Sequence, residues 1–233
     1  MPISLTVDQV AILREAILRR EVRIRPDSGP TAGNLRWAFE VQIGLGLRLG
    51  EVLGLRNADV DFEAGRVSVS GTLVDDEVWR VVRQSELKSR DQARIIEAPR
   101  FVLAALAEAR STRESLTDRL PIAPALQSRA GTWIAPRNLR RAFRHLRSDS
   151  ELIEALRATG IEPDRLTHHV LRRTAATLLG CTAAVGPLRA TRQHDHLRDR
   201  HRRNRRHRPD RREHAVAPRR LQARGIRRIN ARD

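Results

Sequence analysis

The sequence predicts a mainly α-helical α+β fold, followed by a disordered basic tail. Apolar residues recur at helical spacing near the N-terminus and again after Pro99. Between residues 59 and 85 the apolar period changes to that of β-strands. After Leu179 the apolar pattern ends, and from residue 192 to residue 214 the only aliphatic side chain is that of Leu197. Such a tail has too little apolar surface to offset the entropy of ordering.

The first predicted helix begins at a capping box, Thr6–Gln9, and extends to about Arg20. The next segment, residues 21–33, contains Pro26, Gly29 and Pro30 and is predicted to be a loop.

A second helix is predicted around residues 35–43, and Gly44 and Gly46 follow it. Glycine lets the backbone bend and approach a ligand closely. One or two further helical turns are predicted over residues 51–55.

Residues 59–85 predict a small antiparallel meander, with a turn at residues 63–65. Residues 94–96 are predicted to form its last strand. This arrangement places Lys88 in a hairpin turn between two strands.

Helical periodicity returns over residues 99–110 and 136–147. Thr167 is the predicted N-cap of a third helix in this half of the chain, which carries His169 and Arg172. In the middle helix, Leu139, Phe143 and Leu146 are predicted to face inward and Arg137, Arg140, Arg141 and Arg144 outward.

Charge indicates a polyanionic partner. The chain has 45 basic and 28 acidic residues, a net charge of +17, and nucleic acid is the leading candidate because cations that neutralise phosphates release counterions. Lys88 is the only lysine among the basic residues. An ammonium gives up its proton more readily than a guanidinium, so this lysine is a candidate for proton transfer, although a chance surface residue would look the same.

Cys181 is the only cysteine, which excludes an intramolecular disulfide and a zinc-ribbon site. The sequence has neither a signal peptide pattern nor an apolar run that could cross a bilayer. We therefore expect a soluble, cytoplasmic protein without membrane contact.

Two explanations fit the tail. Residues 181–233 contain 17 arginines and 5 acidic residues, a net charge of +12. The tail is either a nucleic-acid-binding arm or the frameshifted translation of GC-rich DNA, and its composition favours the frameshift. The predicted division is a domain over residues 1–180 and a tail over residues 181–233.

Two residue pairs suggest an anion site. Arg48 and Glu51 are three residues apart, as are His169 and Arg172, so in a helix each pair lies on one face. An arginine fork binds two phosphate oxygens at once. Taken singly, Arg48 could be a solvated charge at a helix end, Arg172 could pair with Glu51, and His169 could be a core histidine.

Three ordered motifs resemble those of the tyrosine recombinases, the phage integrase family. Residues 44–55, Gly-Leu-Gly-Leu-Arg-Leu-Gly-Glu-Val-Leu-Gly-Leu, resemble the first arginine motif of that family. Residues 87–90, Leu-Lys-Ser-Arg, are similar to its lysine hairpin. Residues 166–177, Leu-Thr-His-His-Val-Leu-Arg-Arg-Thr-Ala-Ala-Thr, resemble its His-x-x-Arg helix. The resemblance extends from about residue 5 to residue 179.

The resemblance implies a helical catalytic domain with a small antiparallel three-stranded sheet at one edge. The resemblance further implies that this domain acts on double-stranded DNA without a metal or another cofactor. Arg48 and Arg172 would clamp the scissile phosphate, and Glu51 would orient Arg48. Lys88 would protonate the leaving 5′ oxygen and His169 would assist proton transfer. His168 is expected to be a loop or capping residue.

The sequence also departs from the family pattern. Family members have a further histidine and then a tyrosine that forms a covalent link to the 3′ phosphate, whereas this sequence contains no tyrosine. His194 or His196 could replace the second histidine. The helical DNA-clamping domain that precedes the catalytic domain in the family is not recognisable. Neither is the C-terminal segment through which members assemble as homo-oligomers on DNA.

The leading hypothesis is therefore an integrase or mobile-element recombinase domain that binds DNA and lacks its nucleophile. The alternative is a non-catalytic DNA-binding protein that uses the same phosphate site and an arginine-rich arm. An RNA-binding protein is disfavoured, because recognition of single strands relies on aromatic stacking and aromatic residues are scarce here.

Overall fold

Helices dominate the computed structural model, which describes residues 3–28, 32–75, 80–84, 94–112 and 120–182. In this part of the chain the helices are α1 Val7–Ser28, α2 Asn34–Leu45, α3 Leu49–Leu53, α4 Arg100–Ser111, α5 Pro136–Leu146, α6 Ser150–Ala158 and α7 His168–Thr182. The strands are β1 Val60–Asp61, β2 Arg66–Val69, β3 Thr72–Asp75, β4 Val81–Gln84 and β5 Arg94–Glu97. None of the helices described is long and apolar enough to cross a membrane.

Helix α1 begins at the predicted capping box but is longer than predicted. The Thr6 amide donates to Gln9 Oε1 over 2.9 Å, and the Gln9 amide donates to Thr6 Oγ1 over 3.3 Å. The prediction of a loop from residue 21 is wrong, because the helix continues to Ser28. Glu21 is buried in this extension and accepts from Arg36 Nε of α2 over 2.7 Å. A tertiary contact thus outweighs the local loop signals.

Helix α2 is the centre of the core. Most of its residues are buried, and it packs against α4 on one side and α7 on another. Its central residues Phe39 and Val41 are almost fully shielded from solvent. Burial on most sides is typical of a helix in the interior of a protein. Its C-terminal end, where the glycine-rich segment begins, is therefore held firmly.

The strands form two antiparallel sheets instead of one meander. The three-stranded sheet has the order β1-β2-β5, in agreement with the predicted fold class, and within the described residues β3 pairs with β4 alone. The meander prediction is wrong in this respect, since β4 and β5 are not paired with each other among the described strands. The cause is β3, which leaves the sheet to bury Leu73 beside α3. At Gly50 of α3, a Cβ atom would lie 2.6 Å from the Leu73 carbonyl oxygen. The predicted turn that carries Lys88 lies outside the described residues.

The C-terminal helices confirm two predictions and add one element. In α5, Leu139, Phe143 and Leu146 are buried, as predicted. The Val170 amide donates to Thr167 Oγ1 over 3.3 Å, so Thr167 does cap α7. Helix α6 was not predicted.

Candidate functional site

The loop between α2 and α3 has a defined geometry. Helix α2 is capped by Gly46, whose φ of 62° lies in the left-handed region, and the Gly46 amide donates to the Gln42 carbonyl over 2.9 Å. Arg48 then has an extended backbone, and its amide donates to Glu51 Oε2 over 2.9 Å. Glycine tolerates the left-handed conformation without the steric cost of a Cβ atom. The turn therefore fixes where the Arg48 side chain starts.

Glu51 is the centre of an arginine cluster. Its side chain is 1% exposed, and three guanidiniums from different elements approach its carboxylate. Arg48 Nη1 lies 3.2 Å from Oε1, Arg94 Nη2 lies 3.1 Å from Oε2, and Arg172 Nη1 lies 3.7 Å from Oε2. Three positive charges thus surround one negative charge. The arginine cluster, defined as Arg48, Arg94 and Arg172 around Glu51, has a net charge of +2.

The arginines are more accessible than the carboxylate they share. The side chains of Arg48, Arg172 and Arg94 are 57%, 33% and 25% exposed. Arg172 Nη1 also donates to the Gly46 carbonyl over 2.7 Å, which ties α7 to the loop after α2. Negative charge is therefore buried and positive charge is accessible, which suits an anionic ligand.

The pKa of Glu51 is lowered. Burial by itself would raise this pKa, but the hydrogen bond from the Arg48 amide and the charge of Arg94 act against it and prevail. The pKa of Arg172 is lowered by burial and by the neighbouring charge of Arg48. A guanidinium remains protonated in proteins despite such a shift. The cluster therefore keeps its positive charge at neutral pH.

His169 lies at the start of α7 and is exposed. Its separation of three residues from Arg172 puts both side chains on one helix face. Because its side chain is exposed, His169 is not a core histidine.

His168 is a packed residue, and the prediction that it is a loop or capping residue is wrong. Its Nδ1 lies 2.7 Å from Gln42 Oε1, and its ring centroid lies 4.8 Å from that of Phe143. Gln42 Nε2 donates to the Leu47 carbonyl over 3.3 Å. Burial, assisted by the charges of Arg140 and Arg147, lowers the pKa of His168 to about 4. The neutral ring therefore helps to hold the loop that carries Arg48.

Comparison with known proteins gives a family. The profile of the phage integrase family matches residues 5–184, which is most of the chain. The chain belongs to the phage integrase family.

The fold of this integrase-family chain is shared with solved recombinases. The Tn1549 transposon integrase in complex with a circular intermediate DNA has a TM-score of 0.61 and 19% identity, over 78% of this chain and 54% of that chain. The XerA recombinase has a TM-score of 0.52 and 20% identity, over 90% of this chain and 65% of that chain. The XerH recombinase bound to its difH substrate has a TM-score of 0.51 and 17% identity, over 85% of this chain and 49% of that chain.

This chain thus spans between about half and two thirds of the length of these recombinases. No curated protein sequence matches it.

The structure brings together part of the residue set predicted for this family member. Arg48, Glu51 and Arg172 meet, and His169 shares the helix face of Arg172. Lys88, His194 and His196 lie outside the described residues, so their places in the site stay predictions.

Arg94 belongs to the site but was not predicted from the sequence. The strand that carries it was predicted, but no local pattern marks one arginine among 44. The only available signal was the need of a buried Glu51 for more than one cation.

Proposed function

We propose that this chain binds double-stranded DNA as the catalytic domain of a site-specific recombinase or integrase. Arg48 and Arg172 clamp a scissile backbone phosphate, and Glu51 orients them. His169 and Lys88 occupy the positions that, in the family reaction, assist proton transfer and protonate the 5′ oxygen that leaves when a nucleophile attacks. The observation that carries the proposal is the arginine cluster, in which accessible guanidiniums surround one buried carboxylate.

The chemistry of the cluster supports a phosphate ligand. A guanidinium offers paired N–H donors in a fork that matches two phosphate oxygens. Arg172 donates to the Gly46 carbonyl through Nη1. A guanidinium has five N–H donors, so Arg172 can also donate to a phosphate. A clamp of this kind also stabilises the negative charge that develops on the phosphate oxygens during nucleophilic attack.

Helix α5 supplies a second basic surface that supports a duplex partner. Arg140, Arg141 and Arg144 are exposed on the side of the helix opposite its buried apolar residues. DNA backbone contacts beyond the scissile phosphate position a protein without reading sequence. We assign such contacts to this face.

We further propose that the chain does not cleave DNA by itself. The family reaction requires attack on phosphorus by a tyrosine hydroxyl, with the 5′ oxygen leaving, and this sequence has no tyrosine. Binding would then persist without a covalent product. Assembly as a homo-oligomer on DNA, a cytoplasmic location and an origin in a mobile element are parts of the same hypothesis. So is the division into a catalytic domain over residues 1–180 and a basic tail over residues 181–233.

Duplex binding by single-arginine variants tests the proposal. Fluorescence anisotropy with a labelled duplex should show about tenfold weaker binding for Arg48→Ala and Arg172→Ala, since each loses a charged hydrogen bond to phosphate. Arg157→Ala is the matched control, because Arg157 is an exposed arginine of α6 and pairs with Glu162. Equal losses in all three variants would contradict a phosphate clamp.

Covalent chemistry is tested separately with nicked duplexes of varied sequence. After denaturing electrophoresis we expect no protein that remains attached to DNA. A labelled adduct would disprove the proposed inactivity and would leave the binding proposal standing.

The alternative function is a non-catalytic DNA-binding protein with an arginine-rich arm. The charge of residues 181–233, which accounts for +12 of the net +17, favours it. Replacing the arginines of this segment by glutamine in the full chain distinguishes the two proposals. A loss much larger than that of Arg48→Ala supports the arm, whereas a smaller loss supports the clamp as the main binding element.

A further inference from the structure

We infer that Arg94 is a positioning residue of the arginine cluster and makes the site selective for doubly charged phosphoryl groups over singly charged diesters. The inference rests on the proposed phosphate-binding function. It concerns a residue outside the motifs that identify the family.

The position of Arg94 is set by the three-stranded sheet. Arg94 is the first residue of β5, where it pairs with Val69 of β2. From this anchored backbone its guanidinium reaches Glu51 Oε2 at 3.1 Å. The contact therefore joins the sheet to α3.

Arg94 changes how the other arginines share Glu51. It occupies Oε2 at 3.1 Å, whereas Arg172 Nη1 lies at 3.7 Å from the same oxygen and donates to the Gly46 carbonyl instead. Arg48 approaches the opposite oxygen, Oε1. With Arg94 in place, Arg48 and Arg172 are less neutralised by the carboxylate. The pKa of Glu51 agrees with this arrangement, since the charge of Arg94 helps to lower it.

The net charge of the cluster explains the selectivity. Arg48 and Arg172 with Glu51 alone would carry a charge of +1, and Arg94 raises it to +2. A phosphodiester carries one negative charge, and a phosphoryl group under nucleophilic attack carries two. Electrostatic attraction scales with the charge of the ligand. Arg94 therefore favours the doubly charged state, which is the one that a catalytic site has to stabilise.

A purely structural role for Arg94 predicts a different result. If Arg94 served only to support Glu51, its loss would disturb the site and weaken the binding of all anions by the same factor. A charge effect would instead weaken the binding of a dianion more than that of a monoanion. The ratio of the two affinities is thus the decisive measurement.

The experiment uses the full chain and two small anions. Inorganic phosphate at about pH 8 is mainly a dianion, and dimethyl phosphate is a monoanion. Each competes with a labelled duplex at fixed ionic strength, and the inhibition constants are corrected for the duplex affinity of each variant. We expect Arg94→Gln to bind phosphate about tenfold and dimethyl phosphate about threefold more weakly, since a monoanion loses half the energy that a dianion loses. Arg94→Lys keeps the charge and should restore the ratio of the two affinities.

Arg83→Gln is the matched control. Arg83 is also a strand arginine near a buried carboxylate, with Nη2 at 3.5 Å from Asp59 Oδ2, and should leave the ratio unchanged. Equal weakening of both anions in Arg94→Gln, or no weakening, would overturn the inference. Failure of the proposed function is distinguishable, because Arg48→Ala and Arg172→Ala would then also leave phosphate binding unchanged.

Discussion

At the scale of single residues, Glu51 and Gly46 determine the site. Glu51 is a buried carboxylate that three arginines approach, and Gly46 contributes the carbonyl that holds Arg172. Removing one partner of a buried ion pair is costly, because the remaining charges lose their compensation. Substitutions of Glu51 and Gly46 therefore test the site while all three arginines are retained.

Glu51→Gln should lower the free energy of unfolding by about 2 kcal/mol, because the arginine cluster loses its central charge. Urea unfolding measures this effect. Glu40→Gln breaks the more exposed pair with Arg14 and should cost about 1 kcal/mol or less. An equal cost for the two variants would show that burial of Glu51 is unimportant.

The pH dependence of stability should also depend on Glu51. Its folded-state pKa lies below the ordinary glutamate value of 4.5, so its contribution is present above that value and is lost as pH falls through the folded-state pKa. The difference in unfolding free energy between wild type and Glu51→Gln should therefore shrink on acidification below about pH 4.5. A difference that stays constant down to acid unfolding would contradict the lowered pKa.

Gly46→Ala should destabilise the protein by about 1 kcal/mol, because a Cβ atom is unfavourable in the left-handed conformation. It should also weaken duplex binding, since the Gly46 carbonyl positions Arg172. Gly160 is the matched control: its φ is 78°, and no atom lies within 4 Å of the position that a Cβ atom would take there. Gly160→Ala should show a similar loss of stability and unchanged duplex binding.

At the scale of elements, ion pairs correct what local sequence suggests. Arg36 of α2 bonds Glu21 of α1 through Nε and Glu108 of α4 through Nη1, at 2.7 Å and 2.8 Å. These bonds span three helices and include the part of α1 that local signals assign to a loop. The helix boundary is thus a tertiary effect.

Arg36→Met should lower the free energy of unfolding by about 3 kcal/mol, since it leaves the buried Glu21 without its partner. Thermal or urea unfolding measures the change. Arg19→Met in α1 removes pairs with the exposed carboxylates of Glu15 and Glu151 and should cost less than about 1 kcal/mol. Similar costs for both variants would mean that the link between the three helices is not stabilising.

The sequence predicted most elements because their signals are local. The capping box at Thr6 and the apolar face of α5 needed no information from the rest of the chain. Helix α6 escaped prediction although Asp149 caps it, with the Leu152 amide donating to Asp149 Oδ1 over 3.1 Å. The roles of Arg94 and His168 depend on partners 43 and 126 residues away, which no local pattern encodes.

At the scale of the whole molecule, positive charge is present both in the arginine cluster and on α5. The arginine cluster lies at the loop after α2, and α5 presents exposed arginines. Each contact with a DNA phosphate adds to the salt dependence of binding. The arginine cluster and the exposed arginines of α5 should therefore both contribute to the slope of log affinity against log salt concentration.

The combined variant Arg140→Gln, Arg141→Gln and Arg144→Gln should reduce the magnitude of this slope by up to about three, because up to three phosphate contacts are lost. Its unfolding free energy should change little, since the side chains are exposed. Anisotropy titrations at several salt concentrations measure the slope. An unchanged slope would show that α5 does not face the duplex.

The hydrogen bonds to Glu51 and Gly46 also lower the entropic cost of binding a phosphate. Each free arginine side chain has many rotamers, and fixing one costs up to about 2 kcal/mol of conformational entropy. In this protein Arg48, Arg94 and Arg172 are already restrained by hydrogen bonds to the protein itself. Much of the ordering that an incoming phosphate would otherwise impose is thus complete once the chain has folded.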